Sequence, residues 1–349
     1  MSITAYCLDW HVTTSNAFYD LLVNPLKPYR EIRLVGWDGR HVPEGDAARP
    51  MDVPRIFCQF PPPLDWLAEN RGPVVWVAMG DSFDFYDQAW WTLLPKTVRI
   101  VAFSSKVEQR ARAYGHPTLR LTYFVNPAEV LRARWDQGRV LLYWNRKGLV
   151  GPRFLEKLCG ALDADLLIFR SKIDPEFPPE ASYGLPKRLG RTVVCEYPEL
   201  TSSHEGYLAL LGQANIFLAP RLYEGVGIAN LEALASGCAV LAHNAPTMNE
   251  YITNGQNGYL FDWCHCPLLN KVLWPACRGW RNKVVARFYR RILRRSPPFS
   301  FSLTPYQDWS KVARLDLKAL GDNARRAHEI GHKRWEADLE RYACFVLDW

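Results

Sequence analysis

The stretch Tyr223-Glu-Gly-Val-Gly-Ile-Ala-Asn-Leu-Glu-Ala-Leu-Ala-Ser-Gly-Cys-Ala-Val240 reads as a glycine loop, a short helix and the start of a strand. Upstream, Ile216-Phe-Leu-Ala-Pro220 is a strand ending on proline, and downstream Ala239-Val-Leu-Ala242 is a second buried strand. Gly225 and Gly227 are expected to permit positive φ and to let backbone N–H groups approach a ligand. A helix starting near Ile228 would point its positive end at that loop, which suits a phosphate. Gly237 stands where the helix should stop. Glu224 lies in the loop and Glu232 about one turn into the helix, so both can face one pocket. Carboxylates beside a phosphate site can grip the hydroxyls of a ribose or a sugar. From residue types alone, an ordinary strand–loop–helix with a solvated acidic face is the alternative.

The pattern continues in Asn249-Glu-Tyr-Ile-Thr-Asn-Gly-Gln-Asn-Gly-Tyr-Leu-Phe-Asp262, a turn followed by a strand. From Ala214 to Asp262 the chain resembles, without a gap, the Glu-x7-Glu region of retaining glycosyltransferases of family 4. That resemblance implies the GT-B fold: two Rossmann-like, doubly wound α/β domains facing a cleft, with C-terminal helices crossing back to the first. It implies a nucleotide sugar held mainly by the second domain and an acceptor held mainly by the first. Glu232 would bind the ribose and Glu224 the donor sugar. Backbone groups of Gly225, Val226, Gly227 and Ile228 would meet phosphates or sugar hydroxyls. The family's arginine after the first strand of the second domain matches Arg146 in Asn145-Arg-Lys-Gly148, and Lys147 or Arg153 would stand for its lysine. These cations and the helix terminus would neutralise the diphosphate leaving group, an electrostatic stabilisation of developing charge. No cofactor and no obligatory metal is implied, and the leaving phosphate would help deprotonate the acceptor hydroxyl.

The first domain departs from the pattern. Asp9-Trp-His-Val-Thr-Thr-Ser-Asn16 replaces the family's double glycine, with His11, Thr13 and Thr14 as candidate acceptor-binding groups. Where the family carries a histidine after a central strand, this chain has Met79-Gly80, with Asp81 beside it as base or acceptor-positioning group. A loop cap is the alternative for Asp81. The expected function is a retaining transferase acting on a glycan or lipid-linked acceptor in bacterial surface polysaccharide or lipopolysaccharide assembly. A nucleotide-sugar 2-epimerase and a non-catalytic sugar-nucleotide-binding subunit are the alternatives.

A length of 349 residues suits two domains, and 48% apolar against 23% charged residues is globular composition. Aromatics reach 13%, fourteen of them Trp, which suits a carbohydrate- or membrane-facing protein. No apolar run is long enough to span a bilayer, and Met1-Ser-Ile-Thr-Ala-Tyr6 does not read as a signal peptide. Nine scattered cysteines read as reduced thiols of a cytoplasmic protein. The tightest group, Cys264-His-Cys266 with Cys277, lacks the wider spacing of structural zinc sites, so no metal site is expected.

The net charge is +7, yet nine Lys or Arg and no acidic residue fall between Trp263 and Gln307, so the remainder is close to neutral. In this insertion Trp280, Val284, Phe288 and Ile292 recur at helical spacing, while Arg281, Lys283, Arg287, Arg290, Arg291, Arg294 and Arg295 fill the opposite side. Residues 280–295 thus read as a basic amphipathic helix suited to an anionic membrane surface, each cation worth about 1 kcal/mol there. A helix docked on the protein is the alternative, and nucleic acid is not expected as a partner. The implied place is the cytoplasm, peripheral at the cytoplasmic face of the inner membrane.

Strand-like runs at Ile3–Leu8, Glu31–Val35, Arg55–Cys58, Val74–Ala78 and Val98–Phe103 alternate with helical stretches, which argues for a parallel sheet. A second alternation begins at Arg139–Trp144 and passes through Leu166–Phe169, Thr192–Cys195, Ile216–Ala219 and Ala239–Ala242. The expected domains are 1–130, 131–310 with the insertion 263–305, and C-terminal helices over 311–349 that pack back on the first.

Overall fold

The computed structural model describes residues 3–13, 16–43, 53–70, 72–81, 86–146, 150–171, 184–197, 203–221, 224–261 and 309–348. The chain divides into two compact units. One comprises Met1–Phe124, Tyr223–Ile228 and Ile330–Trp349, and the other Val125–Leu222 and Ala229–Glu329.

The first unit starts with β1 (Ile3–Leu8), α1 (Asp9–Thr13), a π-helical turn at Tyr19–Val23, α2 (Asn24–Leu26), β2 (Ile32–Trp37) and β3 (Arg55–Gln59). It continues with α3 (Leu64–Glu69), β4 (Val74–Ala78), α4 (Gln88–Leu93), β5 (Arg99–Ala102), α5 (Ser105–Ala113) and β6 (Thr118–Arg120). Its six strands run in the order β2-β1-β3-β4-β5-β6, all parallel. Ser104 caps α5 as its position predicts, its hydroxyl accepting from Val107 N. The expected loop at Asp9–Asn16 is instead helical through Thr13. Asp9 places an acid in the first turn, and Thr13 donates its hydroxyl back to the Asp9 carbonyl at 3.1 Å.

The indoles find their place here. Trp37, Trp76 and Trp91 are buried with Tyr6 and Phe57 in one core cluster, so much of the tryptophan excess is packing rather than surface. Trp76 sits 5.5 Å from Trp91 and 5.9 Å from Trp90, ring distances at which aromatic pairs attract.

The second unit carries β7 (Val140–Trp144), α6 (Pro152–Leu162), β8 (Leu166–Arg170), β9 (Arg188–Leu189), β10 (Thr192–Tyr197), α7 (His204–Leu211) and β11 (Ile216–Leu218). There follow α8 (Ile228–Ser236), β12 (Ala239–His243), α9 (Met248–Tyr251), β13 (Tyr259–Phe261), α10 (Trp309–Val312), α11 (Leu317–Ala337) and α12 (Leu339–Leu347). The sheet order is β13-β12-β11-β7-β8-β10-β9, parallel except for β9 against β10. Leu141, Tyr143, Leu167, Phe169, Ile216 and Leu218 point to one core face, where α6 supplies Phe154, Leu155 and Leu158. Both sheets are α/β and doubly wound.

α8 ends where Gly237 was expected to end it. Gly237 adopts φ +87°, its N–H reaches the Leu234 carbonyl at 3.1 Å, and Cys238 N reaches Ala233 O at 3.0 Å. That bond pair is a Schellman cap, which needs a left-handed residue at this point. Leu317 and Leu320 of α11 join the second core. Farther along the same helix, Trp335 meets Tyr123 at 5.3 Å in the first unit. Tyr342 of α12 is fully buried and donates to the Leu21 carbonyl at 3.0 Å.

Among the described residues no helix is long and apolar enough to cross a membrane. Six described cysteines, 7, 58, 159, 195, 238 and 344, are free thiols. The insertion with its basic stretch 280–295, and the group Cys264-His265-Cys266 with Cys277, lie outside the described residues, as do Thr14 and Lys147.

Candidate functional site

In an open parallel sheet, ligands bind past the carboxyl ends of the strands, where the strand order reverses. In the second unit the reversal falls between β7 and β11. The loop after β7 carries Arg146, and the segment after β11 leads to α8.

Glu232 lies on the first turns of α8 and is 3% exposed. His204, at the start of α7, holds it through a 2.5 Å contact from Nε2 to Oε1. Burial pushes the Glu232 carboxyl up from its ordinary value, and the His204 contact pulls it back in part. Tyr207, one turn further along α7, donates its hydroxyl to the Ala229 carbonyl at 3.3 Å and so ties α7 to the start of α8. Burial drives the Tyr207 hydroxyl well above its usual range, with the Glu232 charge adding to the effect.

Trp144 closes the same edge. Its ring carries the Arg170 guanidinium 3.9 Å from its centroid and the Arg146 guanidinium at 4.7 Å. Arg170 also stands 5.4 Å from the Tyr207 ring. Two cations attracted to one indole repel each other by roughly 2 kcal/mol at an effective dielectric of 20. Arg153, by contrast, is exposed on the first turn of α6 and makes no hydrogen bond or ion pair among the described residues.

The first unit has its own reversal point, between β1 and β3. His11, just past β1, meets Gln59, at the end of β3, with Nε2 to Oε1 at 2.9 Å. Gln59 adopts φ +67°, a left-handed conformation that a side chain of this size rarely takes. Burial lowers the His11 pKa to about 4, so the ring is neutral near pH 7; the Gln59 bond and the charge of Asp81 oppose that shift. If Nε2 donates to Gln59, Nδ1 is the ring's accepting atom. Trp10 stacks on His11 at 3.6 Å with half its own surface exposed. Thr13 is exposed and bonded to its own helix.

Asp81 follows β4. A side chain on Gly225 would place its Cβ 3.3 Å from Asp81 Oδ1, and one on Gly80 would reach 2.9 Å from the Glu224 carbonyl oxygen. Gly80 is thus glycine because its backbone lies against that of Glu224, while Gly225 lies against the Asp81 carboxylate. Among the described residues of this loop positive φ belongs to Gly227 alone, at +79°, so Gly225 serves close approach and not the conformation expected of it. Glu224, Gly225, Val226 and Gly227 are all buried. The first unit therefore groups His11, Gln59, Asp81 and Glu224, while the second groups Glu232, His204, Arg146, Arg170, Trp144 and Tyr207.

His204, Tyr207, Gln59 and Arg170 escaped the sequence reading. Only Arg170 left a trace there: a charge closing an apolar strand of a parallel sheet, where both faces should be covered.

Residues 200–265 match the family described as glycosyl transferases group 1. Alpha-maltose-1-phosphate synthase of Mycolicibacterium smegmatis is 36% identical over 70 residues, 20% of this chain and 18% of that protein's length. Sucrose-phosphate synthase from Thermosynechococcus elongatus superposes with a TM-score of 0.58 at 12% identity, covering 98% of each chain. Anabaena HepE in complex with UDP does so with a TM-score of 0.56 at 12% identity, again over 98% of each. The chain thus has the GT-B fold, and its segment with Glu224 and Glu232 is similar to the group 1 glycosyl transferases.

Proposed function

We propose that this protein is a retaining glycosyltransferase that moves a sugar from a nucleotide-sugar donor to a glycan or lipid-linked acceptor. The observation that carries the reading is Glu232, a carboxylate kept buried on α8 and held by His204, with Tyr207 feeling both its charge and those of Arg170 and Arg146. Burying a carboxylate is costly, and a ribose diol that donates its hydroxyl hydrogen bonds to it offsets the cost. Arg146 takes the diphosphate, a leaving group whose charge cations can stabilise without a metal. Glu224 contacts the donor sugar. Asp81 and His11 orient the acceptor hydroxyl, His11 as a neutral hydrogen-bond partner. A solved protein of similar fold holds UDP, which makes UDP the first nucleotide to try.

The acceptor belongs to surface polysaccharide or lipopolysaccharide assembly at the cytoplasmic face of the inner membrane. The basic, aromatic-rich sequence at 280–295 supports a lipid-linked acceptor, because it would hold the enzyme at an anionic surface.

Thermal stability is to be measured against UDP, GDP, ADP, CDP and dTDP for the wild type and for Glu232→Ala. A shift with one nucleotide that disappears in the variant supports the reading. No shift with any of them on folded wild type removes it. Sugar transfer follows with the matching donor and a membrane extract as acceptor. Release of nucleotide that does not depend on acceptor points instead to an isomerase or a hydrolase.

A further inference from the structure

We propose that Arg170 supplies the second positive charge of the donor diphosphate subsite, acting across the Trp144 ring in concert with Arg146. This deepens the donor-site reading above and rests on it. The resemblance gave that role to Lys147 or Arg153. Arg153 lies exposed on α6, apart from the Trp144 cluster, and Lys147 is outside the described residues.

Three observations converge on Arg170. It ends β8, so its backbone sits on the carboxyl edge of the sheet next to β7, and its carbonyl accepts from Asn145 N at 2.9 Å. The ends of β7 and β8 are thereby tied together one residue before Arg146. Its guanidinium is 3.9 Å from the Trp144 centroid and Arg146 is 4.7 Å from the same centroid, so the two charges lie within roughly 9 Å of each other. Two guanidinium groups held that close offer a diphosphate a separate donor for each phosphate. Finally, Trp144 Nε1 is buried with no hydrogen-bond acceptor among the described residues, which puts an N–H donor at the same place.

The geometry also has a negative pole. Tyr207 lies within the field of Glu232 as well as of Arg170 and Arg146, so carboxylate and cations border one side chain. A ribose on Glu232 would set its 5′-phosphates toward the arginines, the order in which a nucleoside diphosphate presents these groups. Arg170 is only 3% exposed, so it does not depend on contact. A buried cation is poorly screened by water, and its field reaches an anion a few ångströms away. Arg146, half-buried, makes the contact, while Arg170 adds charge from beneath the ring and holds Trp144 in place.

The test uses calorimetric titration of the full chain with UDP, UMP and uridine, or with the corresponding set for whichever nucleotide stabilises the wild type. Wild type, Arg170→Met, Arg170→Lys and Arg146→Met are compared. Arg170→Met is expected to weaken diphosphate binding by about tenfold or more and monophosphate binding less, leaving the nucleoside within about twofold. Arg170→Lys should recover part of the loss, and the salt dependence of diphosphate binding should be shallower in the Met variant. Should the Met variant not fold, Arg170→Gln is read in the same way.

Diphosphate binding by Arg170→Met equal to wild type overturns the proposal, as does an equal loss for diphosphate, monophosphate and nucleoside, which is packing alone. A loss in Arg146→Met without one in Arg170→Met keeps the donor site and removes Arg170 from it. Failure of the wild type to bind any of the five diphosphates removes the donor-site reading itself, and this inference with it.

Discussion

Replacing Glu232 by Gln should separate stability from binding, in opposite directions. Glu232 is 3% exposed, and burial raises its carboxyl above the ordinary value by more than His204 lowers it. The folded state therefore holds this proton more tightly than the unfolded chain does. By linkage, stability is greatest below the unfolded value near 4.5 and is lost as pH rises through the folded value. Glutamine cannot ionise, so Glu232→Gln removes that loss. The variant is expected to gain about 0.5–2 kcal/mol at pH 7, the range usual when a functional group is relieved of its strain. Nucleotide binding should move the other way. A carboxylate gripping two hydroxyls is worth about 3 kcal/mol over a neutral amide, roughly a hundredfold in Kd. At a concentration of about a hundred times the wild-type Kd, wild type gains roughly 2.7 kcal/mol and the variant about 0.4. For a chain of this length unfolding as one unit, these correspond to melting shifts of roughly 4 °C and under 1 °C. The assay is urea unfolding from pH 4 to 8 without ligand, followed by melting with and without nucleotide at pH 7. A Gln variant less stable than wild type at pH 7, or with an unchanged slope between pH 4.5 and 7, would refute the claim that Glu232 is held at a cost. A full ligand shift in the variant would refute its place in the ribose site.

Other consequences can be checked alongside. Gly80→Ala puts a methyl 2.9 Å from the Glu224 carbonyl; the loop must move, at about 1–3 kcal/mol in urea unfolding, with sugar transfer falling further than stability. His11, lowered from 6.5 to about 4 by burial, adds stability above the unfolded value that is lost as pH falls from 6.5 toward 4, at most on the order of 3 kcal/mol. His11→Asn should flatten that acid limb, and an unchanged limb would show the ring is not buried in solution. Gly237→Ala forces φ +87° on a residue with a Cβ and should cost about 1–2 kcal/mol with nucleotide affinity intact. Tyr342→Phe should lower stability by about 0.5–1.5 kcal/mol through the bond lost to the Leu21 carbonyl, again without change in affinity.

Much of the α/β layout is legible because buried parallel strands are apolar on both faces and short. Val74–Ala78 is a strand with the expected limits, and α5 begins at its serine cap. Local sequence misleads where one residue of tertiary context decides. Asp9–Thr13 lacks any helical period and becomes helix because Asp9 seats against Gly36, whose missing side chain leaves room for it. The glycines of the Glu224 loop were legible as glycines, but not in their roles. Gly227 takes the positive φ and Gly225 the close approach to Asp81, a division set by a neighbour more than a hundred residues away in the chain.

Local order along the chain was enough to mark Glu224, Glu232 and Gly237, because loop, helix and cap chemistry act over a few residues and leave residue types at fixed spacing. Charge and burial do not act that way. His204 on Glu232, Gln59 on His11, and Arg170 across the Trp144 ring are partnerships between strand ends and helix starts that the sheet order brings together. Which carboxylate is buried, which histidine is kept neutral and which arginine is held beside another are properties of the tertiary structure, since each depends on water excluded by residues remote in sequence.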